Sequence, residues 1–118
     1  MNKITIITVV KNNLIGIKRT INSLHFQSFK DYEHIVIDSN SEDGTSEFLK
    51  NNLDSKTTYI REKDSGIYNA INKGVNLSKG KFIGLLHSGD FFYSKNTLSL
   101  ISKNLDEVDY VFGDIIYY

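Results

Sequence analysis

Short runs rich in β-branched residues alternate along this chain with segments of helical spacing. The five runs are predicted strands: Ile4–Val10, Glu33–Asp38, Thr57–Arg61, Lys81–His87 and Tyr110–Phe112. Such alternation is typical of a mainly parallel sheet with helices packed on it. Because the runs are almost continuously apolar, we expect the strands to be buried on both faces. The sequence therefore predicts an α/β fold in three layers, α/β/α.

Each of three intervening segments carries one apolar stripe, which indicates a helix packed against the sheet. The stripes are Ile17, Ile21 and Leu24; Ile67, Ala70, Ile71 and Val75; and Leu98, Ile101 and Leu105. Asp43 or Thr45 is the predicted N-cap of a further short helix around residues 48–49. Ser94 is the predicted N-cap of the last helix. We interpret all the stripes as core, since amphipathic spacing alone carries no chemistry.

The composition fits one cytoplasmic domain without a polyanionic partner. Lys and Arg total 14, and Asp and Glu total 14, so the net charge of zero disfavours nucleic acid as a ligand. The absence of cysteine excludes disulfides, thiol catalysis and thiolate metal sites. The apolar run Ile4–Val10 is far shorter than the about 20 residues that span a bilayer, and no signal-peptide cleavage site follows it. We expect residues 1–118 to form a single domain.

Four aspartates follow predicted strands, at the edge of a parallel sheet where ligands bind. Asp38 closes the second strand, and Asp64, Asp90 and Asp114 follow the third, fourth and fifth. Aspartate is also common in turns for local hydrogen-bonding reasons, so one such residue carries little weight. Four together, three of them beside glycines, predict a polar cleft for a hard cation or a hydroxyl-rich ligand. A nucleoside diphosphate with a bridging Mg²⁺ or Mn²⁺ meets that description.

The turn after the first strand lacks the phosphate-binding loops of other nucleotide folds. Residues 11–16, KNNLIG, contain neither G-x-G-x-x-G nor G-x-x-x-x-G-K-[ST], so both devices are excluded. The three histidines, His25, His34 and His87, share no metal-ligand spacing. Only His87 lies close to the predicted cleft.

Three stretches of the chain, in this order, resemble one known family. The first is residues 6–12 with 23–29, the second is residues 32–45, and the third is residues 64–74 with 80–83 and 86–90. The third, DSGIYNAINKG followed by GKFI and LHSGD, is the most specific. Together they are similar to the family 2 glycosyltransferases, which have the GT-A fold, a Rossmann-like unit with a mainly parallel sheet.

The resemblance implies a role for each acid. Asp38 would accept hydrogen bonds from the base or the ribose, and Asp64 would line the nucleoside side of the cleft. Asp90 would hold the Mg²⁺ or Mn²⁺ that bridges the diphosphate of a nucleotide sugar, which we expect to be UDP-linked. Seven further residues are expected to line the donor site: Thr8, Val10, Lys11, Gly66, Asn72, Ser88 and Gly89.

The sequence departs from the family's pattern around these acids. Ser39 stands where an acid often follows the second-strand aspartate, and Ser88 and Gly89 stand where many members carry further carboxylates. The metal site would then consist of Asp90 with water and phosphate. We therefore expect the affinity for metal to be weak in the absence of nucleotide.

The family's activity implies a transfer of sugar from the nucleotide to an acceptor hydroxyl, with inversion. The acceptor would be a glycan or a lipid-linked molecule of a bacterial surface, which fits a cytoplasmic protein held peripherally at the inner face of the membrane. The attacking hydroxyl needs a general base, which in the family follows the fifth strand. Asp114 is the only late candidate, and we interpret it as lining the cleft or as structural.

The last residues, Ile115–Tyr118, resemble the beginning of another strand, as expected for the N-terminal part of a longer transferase. An apolar edge there favours self-association. We expect this chain to bind the donor without turnover.

Two other functions fit the same alternation of strands and helices. A receiver-type phosphoacceptor domain needs an acid pair after the first strand to hold Mg²⁺, where this chain has Lys11, Asn12 and Asn13. A non-catalytic module that keeps the fold and pairs with another chain is the second alternative.

Overall fold

The structure, a computed structural model, describes residues 3–105. These residues form, in chain order, β1 (Ile4–Val10), α1 (Leu14–His25), β2 (Tyr32–Asp38), α2 (Thr45–Asn51), β3 (Thr57–Arg61), α3 (Ile67–Leu77), β4 (Phe82–Leu85) and α4 (Thr97–Leu105). The predicted bounds of β1 and β3 agree with these, and β2 begins one residue earlier than predicted. The predicted strand Tyr110–Phe112 lies outside the described residues.

The four described strands are all parallel and lie in the order β3-β2-β1-β4. The chain moves outward from β1 through β2 to β3, and then returns to place β4 on the other side of β1. The strand order therefore reverses between β1 and β4. In open parallel sheets this reversal opens a crevice at the edge where the strands end, called here the carboxyl edge, and ligands bind in it.

Helices cover both faces of the sheet, which confirms the three-layer prediction. On one face, residues of α1, α2 and α4 pack on alternate strand residues such as Ile6, Val10 and Val36. On the other face, Ala70 and Ile71 of α3 pack on Ile7, Val9, Ile35 and Ile37. The described helices include none that is both long and apolar enough to cross a bilayer.

The expectation that every strand is buried on both faces is wrong for the two outer strands of the described sheet. β1 and β2 are almost completely buried, but Ile83 and Leu85 of β4 are 45% and 51% exposed. The physical reason is that α3 lies over β1 and β2, which leaves the same face of β4 uncovered. β4 is also shorter than predicted, although the Leu86 and Ser88 amides still donate to β1 carbonyls.

The predicted apolar stripe of α3 is partly wrong. Ile67 and Val75 are 49% and 40% exposed, whereas Ala70 and Gly74 face the sheet. A Cβ on Gly74 would lie 2.7 Å from Cγ2 of Ile7, so the helix approaches β1 closely only because that position has no side chain. Small residues, and not the bulky ones of the stripe, therefore make the closest contact.

The predicted helix caps are only partly observed. Gly44 is the N-cap of α2, and Asp43 Oδ1 accepts a hydrogen bond from the Thr45 amide at 3.0 Å, so Asp43 satisfies a first-turn donor from outside the helix. Helix α4 begins three residues after Ser94. The Leu98 amide in its first turn donates to Gln27 Oε1 at 2.9 Å, a cap from a distant loop.

Candidate functional site

Loops at the carboxyl edge are joined by side-chain hydrogen bonds. The Asn12 amide donates to Ser41 Oγ at 2.8 Å, and Asn12 Oδ1 accepts from the Glu42 amide at 2.7 Å. Asp43 Oδ2 accepts from the Leu14 amide at 3.2 Å. These bonds connect the loop after β1 to the loop after β2, and they hold one side of the crevice in a defined shape.

Asn13 spans the crevice itself. Its Oδ1 caps α1 by accepting from the Gly16 amide at 3.1 Å, and its Nδ2 lies 3.4 Å from Ser88 Oγ in the loop after β4. A Cβ on Gly16 would lie 2.3 Å from Asn13 Nδ2, so this glycine leaves room for the cap. The loop after β4 is thereby joined to the start of α1.

Asp38 is completely buried at the end of β2, with 0% exposure. Its Oδ2 accepts hydrogen bonds from Ser46 Oγ at 2.5 Å and Tyr59 Oη at 2.8 Å, and its Oδ1 accepts from the Ser41 amide at 2.9 Å. Burial raises the pKa of Asp38, but the hydrogen bonds from Ser46, Ser41 and Tyr59 outweigh it and hold the pKa below its ordinary value. The carboxylate therefore organises the turn after β2.

Arg61 completes this buried network from β3. Its Nε donates to Ser46 Oγ at 2.9 Å and lies 4.0 Å from Asp38 Oδ2, and its Nη2 donates to the Ser41 carbonyl at 3.1 Å. Since Asp38 has no exposed surface in this structure, the expected contact of Asp38 with a base or ribose stays a prediction.

Asp64 joins the loops after β2 and β3. Its carboxylate accepts hydrogen bonds from Ser39 Oγ and, at 3.1 Å, from the Gly66 amide. Gly66 has φ 135°, a conformation that other residues rarely adopt. Ser39, the departure from the family's pattern, is thus a neutral donor to Asp64. An acid at that position would put two carboxylates in contact.

Asp90 differs from both, because its side chain is exposed and makes no hydrogen bond or ion pair within residues 3–105. Its backbone is nevertheless fixed: the Asp90 amide donates to the His87 carbonyl at 2.9 Å, and Gly89 between them has φ 96°. The turn therefore presents an unengaged carboxylate on a constrained backbone beside the β1–β4 crevice.

Thr20 of α1 holds this turn, a role that the sequence reasoning missed. Its buried hydroxyl accepts from the Gly89 amide at 2.9 Å and lies 2.7 Å from the Asp90 carbonyl, to which it donates. The available signal was a polar residue on the buried face of α1, between the stripe residues Ile17 and Ile21. Its partners lie about 70 positions away in the sequence, so no local pattern indicates that Thr20 bonds to them.

We expect Thr20→Val to lower the free energy of unfolding by about 1–3 kcal/mol, because the isosteric change leaves two part-buried backbone groups, the Gly89 amide and the Asp90 carbonyl, without their partner. Urea unfolding followed by circular dichroism measures this change. Thr58→Val, at an exposed position of β3, is the matched control and should change stability by less than about 0.5 kcal/mol. Equal stability of the two variants would contradict the assigned role of Thr20.

The other predicted site residues differ in burial. Thr8 and Val10 are core residues, with Thr8 Oγ1 2.8 Å from His34 Nε2 and Val10 packed in the core cluster with α1 and α2. Their side chains have almost no exposed surface, and the expectation that they shape the pocket floor stays a prediction. Lys11 and Asn72 are exposed. Asp114 lies outside the described residues.

The described residues contain no group of three or more His, Cys, Asp or Glu side chains placed to hold a metal. The unengaged Asp90 carboxylate still fits a divalent cation that takes its other ligands from water and a substrate phosphate. Mg²⁺ sites of this kind use one or two carboxylates. The residues present therefore suit a cation brought in with a nucleotide better than a permanently bound one.

Curated relatives are glycosyltransferases. A protein of Rickettsia bellii named as an uncharacterized glycosyltransferase is 32% identical over 116 residues, which cover 98% of this chain and 17% of that protein. A PGL/p-HBAD biosynthesis glycosyltransferase of Mycobacterium bovis is 30% identical over 102 residues, covering 81% of this chain and 40% of that protein. The chain thus spans 17% to 40% of the length of these two relatives.

Solved structures share the fold. TarS of S. aureus in complex with UDP has a TM-score of 0.76 and 28% identity, with 89% of this chain and 32% of that chain covered. A mannosyltransferase of Pyrobaculum calidifontis in complex with GDP-Man and Mn²⁺ has a TM-score of 0.78 and 22% identity, with 87% and 32% covered. The GT-A type of α/β fold expected from the sequence is confirmed.

The sequence model of one family, glycosyl transferase family 2, matches residues 5–118, almost the whole chain. This match agrees with the curated relatives and with the fold. The chain belongs to glycosyl transferase family 2.

Proposed function

We propose that this protein binds a nucleotide-diphosphate sugar at the β1–β4 crevice and serves sugar transfer to an acceptor hydroxyl. The observation that carries the proposal is the exposed Asp90 carboxylate, which has no partner within residues 3–105 and lies on a turn fixed by Thr20, at the edge where parallel sheets bind ligands. Asp90 would hold a divalent cation, Mg²⁺ or Mn²⁺. That cation supplies a Lewis acid that stabilises the charge of the departing diphosphate.

In this proposal some residues contact the nucleotide sugar, and others hold the loops of the site in place. Asp64 is half-buried in the loop after β3, at the carboxyl edge, where a carboxylate can accept hydrogen bonds from ribose hydroxyls. Five exposed or half-buried residues complete the proposed donor site: Lys11, Gly66, Asn72, Ser88 and Gly89. Asp38 acts in this proposal mainly as a positioning residue, because its oxygens already hold the turn after β2.

The proposed chemistry is an inverting substitution at the anomeric carbon. The acceptor hydroxyl attacks while the nucleoside diphosphate leaves from the opposite face, and a carboxylate base takes the hydroxyl proton. Fixed backbone at the Asp90 turn favours catalysis, since a preorganised charge does not have to reorganise as the leaving group develops. No residue within 3–105 is assigned as the base, and Asp114 is retained as a weak candidate.

We also propose a UDP-linked hexose donor and a bacterial surface glycan or lipid-linked acceptor, used at the cytoplasmic face of the membrane. The relative of Mycobacterium bovis is named for PGL/p-HBAD biosynthesis, and TarS was solved with UDP and with UDP-GlcNAc, which supports both choices. This chain alone is proposed to bind donor without turnover.

Titration calorimetry with UDP, dTDP and GDP, each with and without Mn²⁺, tests the donor site. We expect Mn²⁺-dependent binding of one nucleotide, and a decrease in its affinity of about tenfold, or about 1.4 kcal/mol, in Asp90→Asn. Asp31→Asn, an exposed aspartate at the opposite edge of the sheet, is the matched control. Nucleotide affinity that Asp90→Asn leaves unchanged would remove Asp90 from the site.

A further inference from the structure

His87 carries a polar atom that nothing in the described part of the chain satisfies. Its Nδ1 is buried and has no hydrogen-bond partner. Buried side-chain nitrogens are nearly always paired, because an unpaired one loses its bonds to water without replacement. The neighbouring residues of the same turn do have their backbone groups paired. The unpaired atom therefore calls for a specific explanation.

We propose that His87 supplies a ring nitrogen to the divalent cation held by Asp90. This inference rests on the proposed donor site, and it adds to that site a ligand outside the acidic pattern. It also revises the interpretation of His87 from its sequence spacing, which showed no metal-ligand pattern.

The geometry brings the two side chains onto one tight turn. The Asp90 amide donates to the His87 carbonyl at 2.9 Å, so the two residues are the first and last of a four-residue turn. The Thr20 hydroxyl lies 2.7 Å from the Asp90 carbonyl and 3.4 Å from the His87 carbonyl, which places both ends of the turn against α1. With the backbone held, the imidazole is the part that can move.

Binding requires the ring to turn about its Cβ–Cγ bond so that a nitrogen reaches the cation. This torsion of histidine is broad, with no single preferred staggered value. The unpaired Nδ1 offers little resistance, since no hydrogen bond from Nδ1 to the described residues is broken when the ring turns. A cation beside Asp90 would give the nitrogen the partner that the protein does not provide.

Imidazole changes which cation the site prefers. Mg²⁺ prefers oxygen ligands, whereas Co²⁺ binds nitrogen well and stands higher in the general affinity order than Mn²⁺. If the cation were held only by one carboxylate and phosphate oxygens, the affinity for the nucleotide should differ little between Co²⁺ and Mg²⁺. A site that includes His87 should bind it distinctly better with Co²⁺ than with Mg²⁺.

The experiment measures UDP affinity with Co²⁺ and with Mg²⁺ on the whole chain, His87→Asn and the control His25→Asn. Asparagine keeps a hydrogen-bond donor and acceptor, so the variant removes only the metal-binding nitrogen. Loss of a ligand costs at least as much as loss of its outer-shell partner, so we expect an affinity decrease of about tenfold or more with Co²⁺. With Mg²⁺ the decrease should be less than about threefold, and His25→Asn should match the unchanged protein with both ions.

A second measurement does not depend on the folding of a variant. Pulsed electron paramagnetic resonance of Mn²⁺ bound with UDP should show coupling to a nitrogen that changes on ¹⁵N-histidine labelling. No such coupling, or an equal loss of affinity with both ions in His87→Asn, would overturn the inference while leaving the donor site in place. Absence of UDP binding with every ion would overturn the donor site and the inference together.

Discussion

Replacing Asp38 with alanine is expected to lower the free energy of unfolding by about 3–5 kcal/mol, a large part of the stability of a domain of this size. The change removes the acceptor for Ser46 Oγ, Tyr59 Oη and the Ser41 amide. Without the carboxylate these donors lose a hydrogen bond that water does not fully replace, and the loss destabilises the folded state. Chemical denaturation monitored by circular dichroism measures the loss.

Asp90→Ala is the matched control for Asp38→Ala. The same chemical change at an exposed carboxylate without partners in residues 3–105 should alter stability by less than about 0.5 kcal/mol. The two variants should therefore have different effects: Asp38→Ala should lose stability, and Asp90→Ala should lose metal-dependent nucleotide binding. Equal stability of Asp38→Ala and Asp90→Ala would show that the network around Asp38 contributes little to folding.

Lowering the pH from 7 to 5 is expected to reduce the free energy of unfolding by about 2 kcal/mol through His34 alone, and by about 3 kcal/mol once pH 4 is reached. Burial lowers the pKa of His34 from 6.5 to about 4. Below pH 6.5 His34 is therefore protonated in the unfolded chain, whereas in the folded protein it is protonated only near pH 4 and below. Stability is complete above pH 6.5 and falls as the pH decreases through this window.

The window from pH 6.5 to 5 isolates His34 from the carboxylates. Asp38 has a lowered pKa in the folded protein, so its contribution is complete above its ordinary value of 3.8 and is lost only at lower pH. The free energy of unfolding of His34→Gln, taken from denaturation curves, should not change between pH 7 and 5, whatever its absolute value. His25→Gln, at an exposed site, should retain most of the slope, because burial is the main cause of the low pKa of His34 and the charge of His25 only adds to it. A slope that persists in His34→Gln would assign the effect to another group.

His34 and His87 differ in their surroundings. His34 lies on β2 against Thr8 of β1, a pair in the middle of the sheet, and its low pKa follows from that burial. His87 lies past the end of β4, where one ring nitrogen lacks a partner among residues 3–105. The sequence predicts that, of the three histidines, only His87 lies near the cleft, and this stays a prediction.

The α/β class and the strands β1 and β3 were predictable from the sequence, whereas the carboxyl edge as the place of the site stays a prediction. These features depend on local signals, since apolar runs and helical spacing repeat over a few residues. The family was predictable for the same reason, because its motifs are contiguous segments. The exposure of Ile67, Val75 and the outer strands was not, because it depends on which element lies over which.

The tertiary structure decided what each aspartate does. In the sequence, Asp38 closes one apolar run and Asp90 follows another after three intervening residues, and neither pattern indicates how buried the carboxylate is. Asp38 ends a strand flanked by β1 and β3, where Ser46 and Tyr59 surround it, whereas Asp90 ends the loop after an outer strand of the described sheet and stays open. Thr20 likewise acquires its role only when α1 meets a turn about 70 residues away. Burial and hydrogen-bond partners come from residues far apart in the chain, and no local pattern contains them.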